Sequence, residues 1–158
     1  MLAPDLTASV LAILPFAEDQ VALKHISMRS KWNLGVVEAL GRAAPLIDEL
    51  SAGIVITDSQ LPDGCWQDVL DQLRGRRVEP MLIVASRLAD DRLWAEVLNL
   101  GGYDVLTTPL QPREVVRSVG LAWRQWEEKL ASSNHVVDKV MVAGSSEWLK
   151  EQDRGRRC

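Results

Sequence analysis

Short apolar runs alternate with helical patterns five times along this chain of 158 residues. Alternation of that kind forces a parallel sheet with helices on both faces, because each parallel pair needs a crossover. The clearest unit is Gly53–Gly64. Residues 54–57, Ile-Val-Ile-Thr, are too few for a helix and rich in β-branched side chains, so they read as a buried strand. The run stops at Asp58, and a Pro62-Asp63-Gly64 turn follows. Trp66, Val69, Leu70 and Leu73 then recur on one helical face. In open α/β sheets, sites form at the carboxyl ends of strands. Asp58 stands at such an end.

The other units read the same way. Residues 9–14 form a first strand, ended by Pro15, with Glu18 and Asp19 in the first turn of a helix running to about Ser30. The apolar face of that helix is ambiguous. Residues 33–39 are a second strand, weakened by Gly35, before a helix through Ala43, Leu46, Ile47 and Leu50. Residues 81–85 are a fourth strand, followed at once by Ser86. Leu93, Trp94, Val97 and Leu98 mark a fourth helix, stopped by Gly101-Gly102. A fifth strand over 103–107 reaches Thr108-Pro109. From Pro112 a last helix points Val115, Val116, Val119, Trp123 and Trp126 inward, Trp126 lying nearest the surface. The expected organisation is a lead-in over 1–8, one domain over 9–130, and a flexible or partly helical tail over 131–158. That tail carries a short helix near 147–152. Residues 127–158 hold six acids and six bases, so that stretch has no net charge.

Composition excludes several classes. A net charge of -4 disfavours a dedicated nucleic-acid binder. No apolar stretch reaches the ~18 residues of a transmembrane helix, and the acidic N-terminus makes a poor signal peptide. Cys65 and Cys158 have neither metal spacing nor a disulfide framework. A cytoplasmic protein is expected, with no membrane partner. His25 and His135 lack a nucleophile or metal-ligand partner at useful spacing. No Gly-rich phosphate loop and no Ser/His/Asp or Cys/His set points to an enzyme.

Taken together, five β-α units, Asp58 with Pro62 four residues on, Ser86 lying 22 residues before Thr108, and the run Gly101–Leu110 resemble the receiver domain of two-component response regulators. The resemblance covers roughly residues 9–126. It implies a three-layer α/β sandwich of flavodoxin-like type with a five-stranded parallel sheet in the order 2-1-3-4-5. It also implies a phosphoacceptor at Asp58, a switch hydroxyl at Ser86, a divalent metal beside Asp58, and a histidine kinase or other signalling protein as partner. A cis bond at Thr108-Pro109 would match the family. Pairing of two copies through helix 4, strand 5 and helix 5 is expected.

Four departures touch the chemistry. Leu14-Pro15-Phe16-Ala17 stands where the resemblance calls for an acidic pair. Thr108 replaces the lysine, Val105 the aromatic switch residue, and the loop after Asp58 is about two residues short. Phosphoryl transfer depends on positioning and on cations that neutralise developing charge, and Mg²⁺ usually takes one or two protein carboxylates. Asp58 alone makes a weak site. Asp63, Glu18 and Asp19 are the candidate further ligands, and Arg87 is the candidate replacement cation. The expectation is a weak Mg²⁺ site or none, and a stand-alone, degenerate receiver acting through protein contacts. The alternatives are an active phosphoacceptor using Asp58 and a flavodoxin-like binder or enzyme.

Overall fold

The computed structural model describes residues 7–140. Five strands form one parallel sheet: β1 (Ser9–Ile13), β2 (Asn33–Val37), β3 (Ile54–Asp58), β6 (Met81–Ser86) and β7 (Asp104–Thr107). Their spatial order is β2-β1-β3-β6-β7, the 2-1-3-4-5 arrangement expected from the sequence. Each connection holds a helix: α1 (Ala17–Ser30), α2 (Ala43–Glu49) after a 3₁₀ turn at Leu40–Arg42, α3 (Trp66–Leu73) and α4 (Asp91–Leu100); α5 (Pro112–Val140) follows β7. Between β3 and α3 sits a two-stranded antiparallel hairpin, β4 (Gln60–Leu61) and β5 (Gly64–Cys65), around the Pro-Asp-Gly turn.

Alternation along the strands sends side chains to two cores. Val10, Ala12, Ile54, Ile56, Ile83 and Leu106 pack with Leu23 and Ile26 of α1 and Val115, Val119 and Ala122 of α5. Leu11, Ile13, Val55, Leu82, Val84 and Val105 pack with Ile47 of α2, Trp66, Val69 and Leu73 of α3, and Val97 of α4. Every residue of β3 and β6 is buried. A strand covered on both faces reads as a continuous apolar run, which is what residues 54–57 and 81–85 show.

Local signals set the boundaries. Asp90 caps α4 by accepting from the Leu93 amide at 2.9 Å. Asp68 accepts from the Cys65 amide at 3.0 Å in a capping box that starts α3. Gly101 ends α4 in the left-handed region, at φ 112°. The peptide bond between Thr108 and Pro109 is cis. Cys65 is buried at the start of α3; Cys158 lies outside the described residues.

Two side-chain placements differ from the sequence reading. Trp94 is 50% exposed rather than core, and Val116 is exposed as well. Trp126 is partly buried, as is Trp123. It stacks on Trp123 with ring centroids 4.8 Å apart, and both pack against the α1–α5 core. The stack lies over Gly53, where an added Cβ would stand 2.6 Å from Trp123 and 2.7 Å from Trp126. The glycine is what lets the two indoles reach the sheet. Helix α5 runs on to Val140, through the first part of the segment expected to be a flexible or partly helical tail. The short helix expected over 147–152 lies outside the described residues.

Candidate functional site

Asp58 is the last residue of β3 and projects at the carboxyl edge of the sheet, 6% exposed. Its Oδ1 accepts from the Gln60 amide at 3.1 Å, which starts the turn into the hairpin. The Ser59 amide donates to Ala85 O at 2.9 Å, so the turn is pinned to β6. Burial raises the Asp58 pKa above the ordinary carboxylate value; the Gln60 amide, the Arg87 charge and the Ser59 amide oppose it.

Asp19 joins this pocket from the first turn of α1. It is 3% exposed, and its Oδ2 is buried without a hydrogen-bond partner. Its pKa is also raised, first by burial; Arg87 opposes, while the charges of Asp58 and Glu18 add to the rise. Asp58 is near enough for its charge to be felt at Asp19. Both carboxylates are buried, and they come from two separate elements.

Glu18, one residue earlier, points elsewhere. Its carboxylate is exposed and accepts from Arg87 Nη2 at 3.0 Å. The Arg87 guanidinium also lies 4.6 Å from the centre of the Phe16 ring, a cation–π contact. Arg87 is thus held at the rim by residues of the β1–α1 segment. These partners are 69 residues apart in the chain, so no local pattern could have paired them.

Two hydroxyls complete the pocket. Ser86 ends β6, is buried, and its Oγ accepts from Ser59 Oγ and from the Leu88 amide, both at 3.1 Å. Thr108 follows β7; its amide donates to Ser86 O at 3.1 Å, and its Oγ1 is buried with no partner. Gln20 Nε2 donates to Leu14 O at 2.7 Å, closing the end of β1 where the acidic pair was sought.

Asp63 does not join Asp58. Its Oδ1 accepts from the Leu40 amide at 2.8 Å and its Oδ2 from the Gly41 amide at 2.9 Å. The carboxylate caps the 3₁₀ turn, and the Gly41 and Leu40 amides lower its pKa. The turn residue read from Pro-Asp-Gly is therefore a clasp between the hairpin and the β2–α2 connection.

Among the described residues, no group of three or more His, Cys, Asp or Glu is arranged to hold a metal ion. The Asp19–Asp58 pair still suits Mg²⁺ by donor type and number, since that ion accepts one or two carboxylates and fills the rest with water. The unpartnered Asp19 oxygen supports the fit. Glu18 and Asp63 are committed to Arg87 and to backbone amides.

No protein-family model matches the chain, and no curated protein matches it. Solved structures do match. The signal receiver domain of a protein described as a Luxo repressor from Vibrio parahaemolyticus superposes with a TM-score of 0.70 at 21% identity, over 89% of this chain and all of that one. The beryllofluoride-activated NtrC4 receiver domain dimer gives 0.68 at 18% identity, over 75% of this chain and 98% of that one. The chemotaxis response regulator CheY4 of Vibrio cholerae gives 0.66 at 13% identity, over 73% and 98%. The chain has the receiver fold. No described helix is long and apolar enough to cross a membrane.

Proposed function

We propose that this chain is a receiver-type signalling module of a two-component system that works through protein contacts and accepts phosphoryl groups poorly. The observation that carries this reading is the hydroxyl at position 108. Thr108, with a buried and unpartnered hydroxyl, stands where the receiver resemblance calls for a lysine. A phosphoryl group on Asp58 would meet no fixed cation there, and such charge is what phosphoryl-transfer sites neutralise. Arg87, the nearest substitute, is drawn to Glu18 and Phe16. Neighbouring solved structures support the signalling class, being named as receiver domains or response regulators.

In this reading the partner is a histidine kinase or another signalling protein. The α4–β7–α5 face is its contact surface, with Trp94 half-exposed on α4 and Val116 exposed on α5 as apolar anchors. Incubating the purified chain with Mg²⁺ and a small acyl phosphate, then measuring intact mass, tests the proposal. Little or no phosphoryl addition is expected. Rapid, stoichiometric addition that disappears in Asp58→Asn overturns it.

One observation favours the second reading, an active phosphoacceptor. Asp19 brings a second carboxylate to Asp58 from α1, replacing the acids missing at the end of β1. Bound Mg²⁺ would supply the positive charge that the β7 end lacks. Asp19 and Asp58 would hold it, and Ser86 would meet the transferred group.

A further inference from the structure

We infer that Arg87 is the working cation of the Asp58 pocket and that Glu18 and Phe16 hold it back, so that this contact sets how fast Asp58 takes a phosphoryl group. The inference rests on the proposed function and gives it a cause. The pocket accepts phosphoryl groups poorly because its positive charge is tied down at the rim.

Arg87 leaves the end of β6 directly after Ser86. β6 pairs with β3, with Asp58 opposite Ala85, and Arg87 follows Ala85 by two positions. Its charge already opposes the raised pKa of both Asp58 and Asp19, so the guanidinium is within electrostatic reach of the two carboxyls. Two contacts keep it at the rim. Glu18 Oε2 accepts from Arg87 Nη2 at 3.0 Å, and the centre of the Phe16 ring lies 4.6 Å from the guanidinium carbon. Both partners belong to the start of α1, Phe16 as the residue before the helix and Glu18 in its first turn.

Neither hold is strong. The Glu18 side chain is 74% exposed and that of Arg87 49%, and Phe16 is exposed as well. An exposed ion pair shifts an equilibrium by about two- to fivefold, and an exposed cation–π contact by a similar factor. A phosphoryl group competes well against them. It carries more charge than one carboxylate, and its oxygens match the planar fork of the guanidinium. In the transfer, an Asp58 oxygen bonds to phosphorus while the bond from phosphorus to the donor's acyl oxygen breaks. The acylate leaves with that electron pair. Arg87 then touches the phosphoryl oxygens over which the charge spreads. Glu18 and Phe16 touch no reacting atom; they are positioning residues that act through Arg87.

Labelling rates of the full chain with Mg²⁺ and a small acyl phosphate, read by intact mass, test this. Glu18→Gln is expected to label about two- to fivefold faster than wild type, and Glu18→Gln with Phe16→Leu about tenfold faster. Arg87→Gln is expected to label at least about tenfold more slowly, and Arg87→Lys, which keeps the charge, to recover most of that loss. Adding Glu18→Gln to Arg87→Gln is expected to change nothing, since the acceleration runs through the guanidinium. A second readout needs no phosphodonor. The Phe16 ring shifts the NMR signals of the Arg87 side-chain protons, and that shift is expected to shrink in Glu18→Gln. Glu18→Gln that labels no faster than wild type overturns the inference. So does an acceleration that survives in the Arg87→Gln background, which makes Glu18 a plain source of repulsion for an anionic donor. So does an Arg87 ring shift that Glu18→Gln leaves unchanged. Rapid labelling of the wild type overturns the proposed function alone, and the order of the variants still decides this inference.

Discussion

Replacing Asp19 by Asn should stabilise the protein at neutral pH. Asp19 is buried with one carboxylate oxygen unpartnered, and Asp58 adds like charge nearby. Leaving a buried polar group unsatisfied costs about 1–3 kcal/mol, more when it is charged. Two effects oppose that cost. A carboxylate in the first turn of α1 gains about 0.3–1 kcal/mol from the helix dipole. Attraction to Arg87 is worth roughly 0–1 kcal/mol, since that side chain is half-exposed and already paired with Glu18. Burial wins, and Asn keeps an amide that can donate to Asp58. The expected gain is on the order of 1 kcal/mol, a rise of roughly 3–4 °C in Tm for a chain of this length.

The pH dependence carries the sharper test. Both Asp19 and Asp58 have folded pKa values above the unfolded value. The folded state then binds more protons than the unfolded one between those values, so wild-type stability falls as pH rises from about 4 through the raised pKa values. In Asp19→Asn this slope should shrink, and below pH 4 the two proteins should converge. Urea unfolding in metal-free buffer at a series of pH values measures both quantities. A variant no more stable than wild type at pH 7.5, with an unchanged slope, would refute the cost assigned to the buried Asp19 carboxylate.

Other perturbations follow from the same geometry. Gly53→Ala drives a methyl group into the Trp123–Trp126 stack and should cost about 1–3 kcal/mol by overpacking; thermal unfolding with tryptophan fluorescence reads both the loss and the disturbed indoles. Asp63→Ala removes the acceptor of the Leu40 and Gly41 amides and should cost about 1 kcal/mol, a usual figure for a lost cap. Because the Asp63 pKa is lowered by folding, its contribution is present above the ordinary carboxylate value and is lost as pH falls through the lowered one. The gap between wild type and Asp63→Ala should accordingly close in acid. Arg87→Gln removes the charge that holds down both pocket carboxyls, so their pKa values should rise further, as carboxyl-carbon NMR titration would record.

The fold was legible because its signals are local. β-branched runs of four to six residues, a glycine at the end of α4 and a Pro-Asp-Gly turn each announce an element within a few positions. The hairpin of β4 and β5 was not legible, because two-residue strands show no alternation. Asp58, Ser86 and Thr108 could be placed at strand ends, since strand ends follow from the β-α order. Asp19 was harder. Its helix has apolar residues scattered around it, so the side turned toward Asp58 could not be identified from spacing. The clasp made by Asp63 was not legible, because its acceptor role spans 22 residues to Gly41, beyond any turn pattern. Trp94 and Val116 departed from expectation for a related reason. Helical periodicity says which residues share a stripe, but not where the neighbouring sheet begins and ends beneath it.

Ser86 has one consequence for what the pocket will tolerate. A hydroxyl offers two lone pairs and one proton. Ser59 and the Leu88 amide occupy both lone pairs, so the oxygen has nothing left to give a cation, and only its hydrogen is spare. Whatever approaches β6 from outside must bring an electron-rich atom. Asp19 and Asp58 ask for the opposite, a positive or protonated visitor. The mouth of this sheet is therefore split into two halves of contrary taste, set side by side.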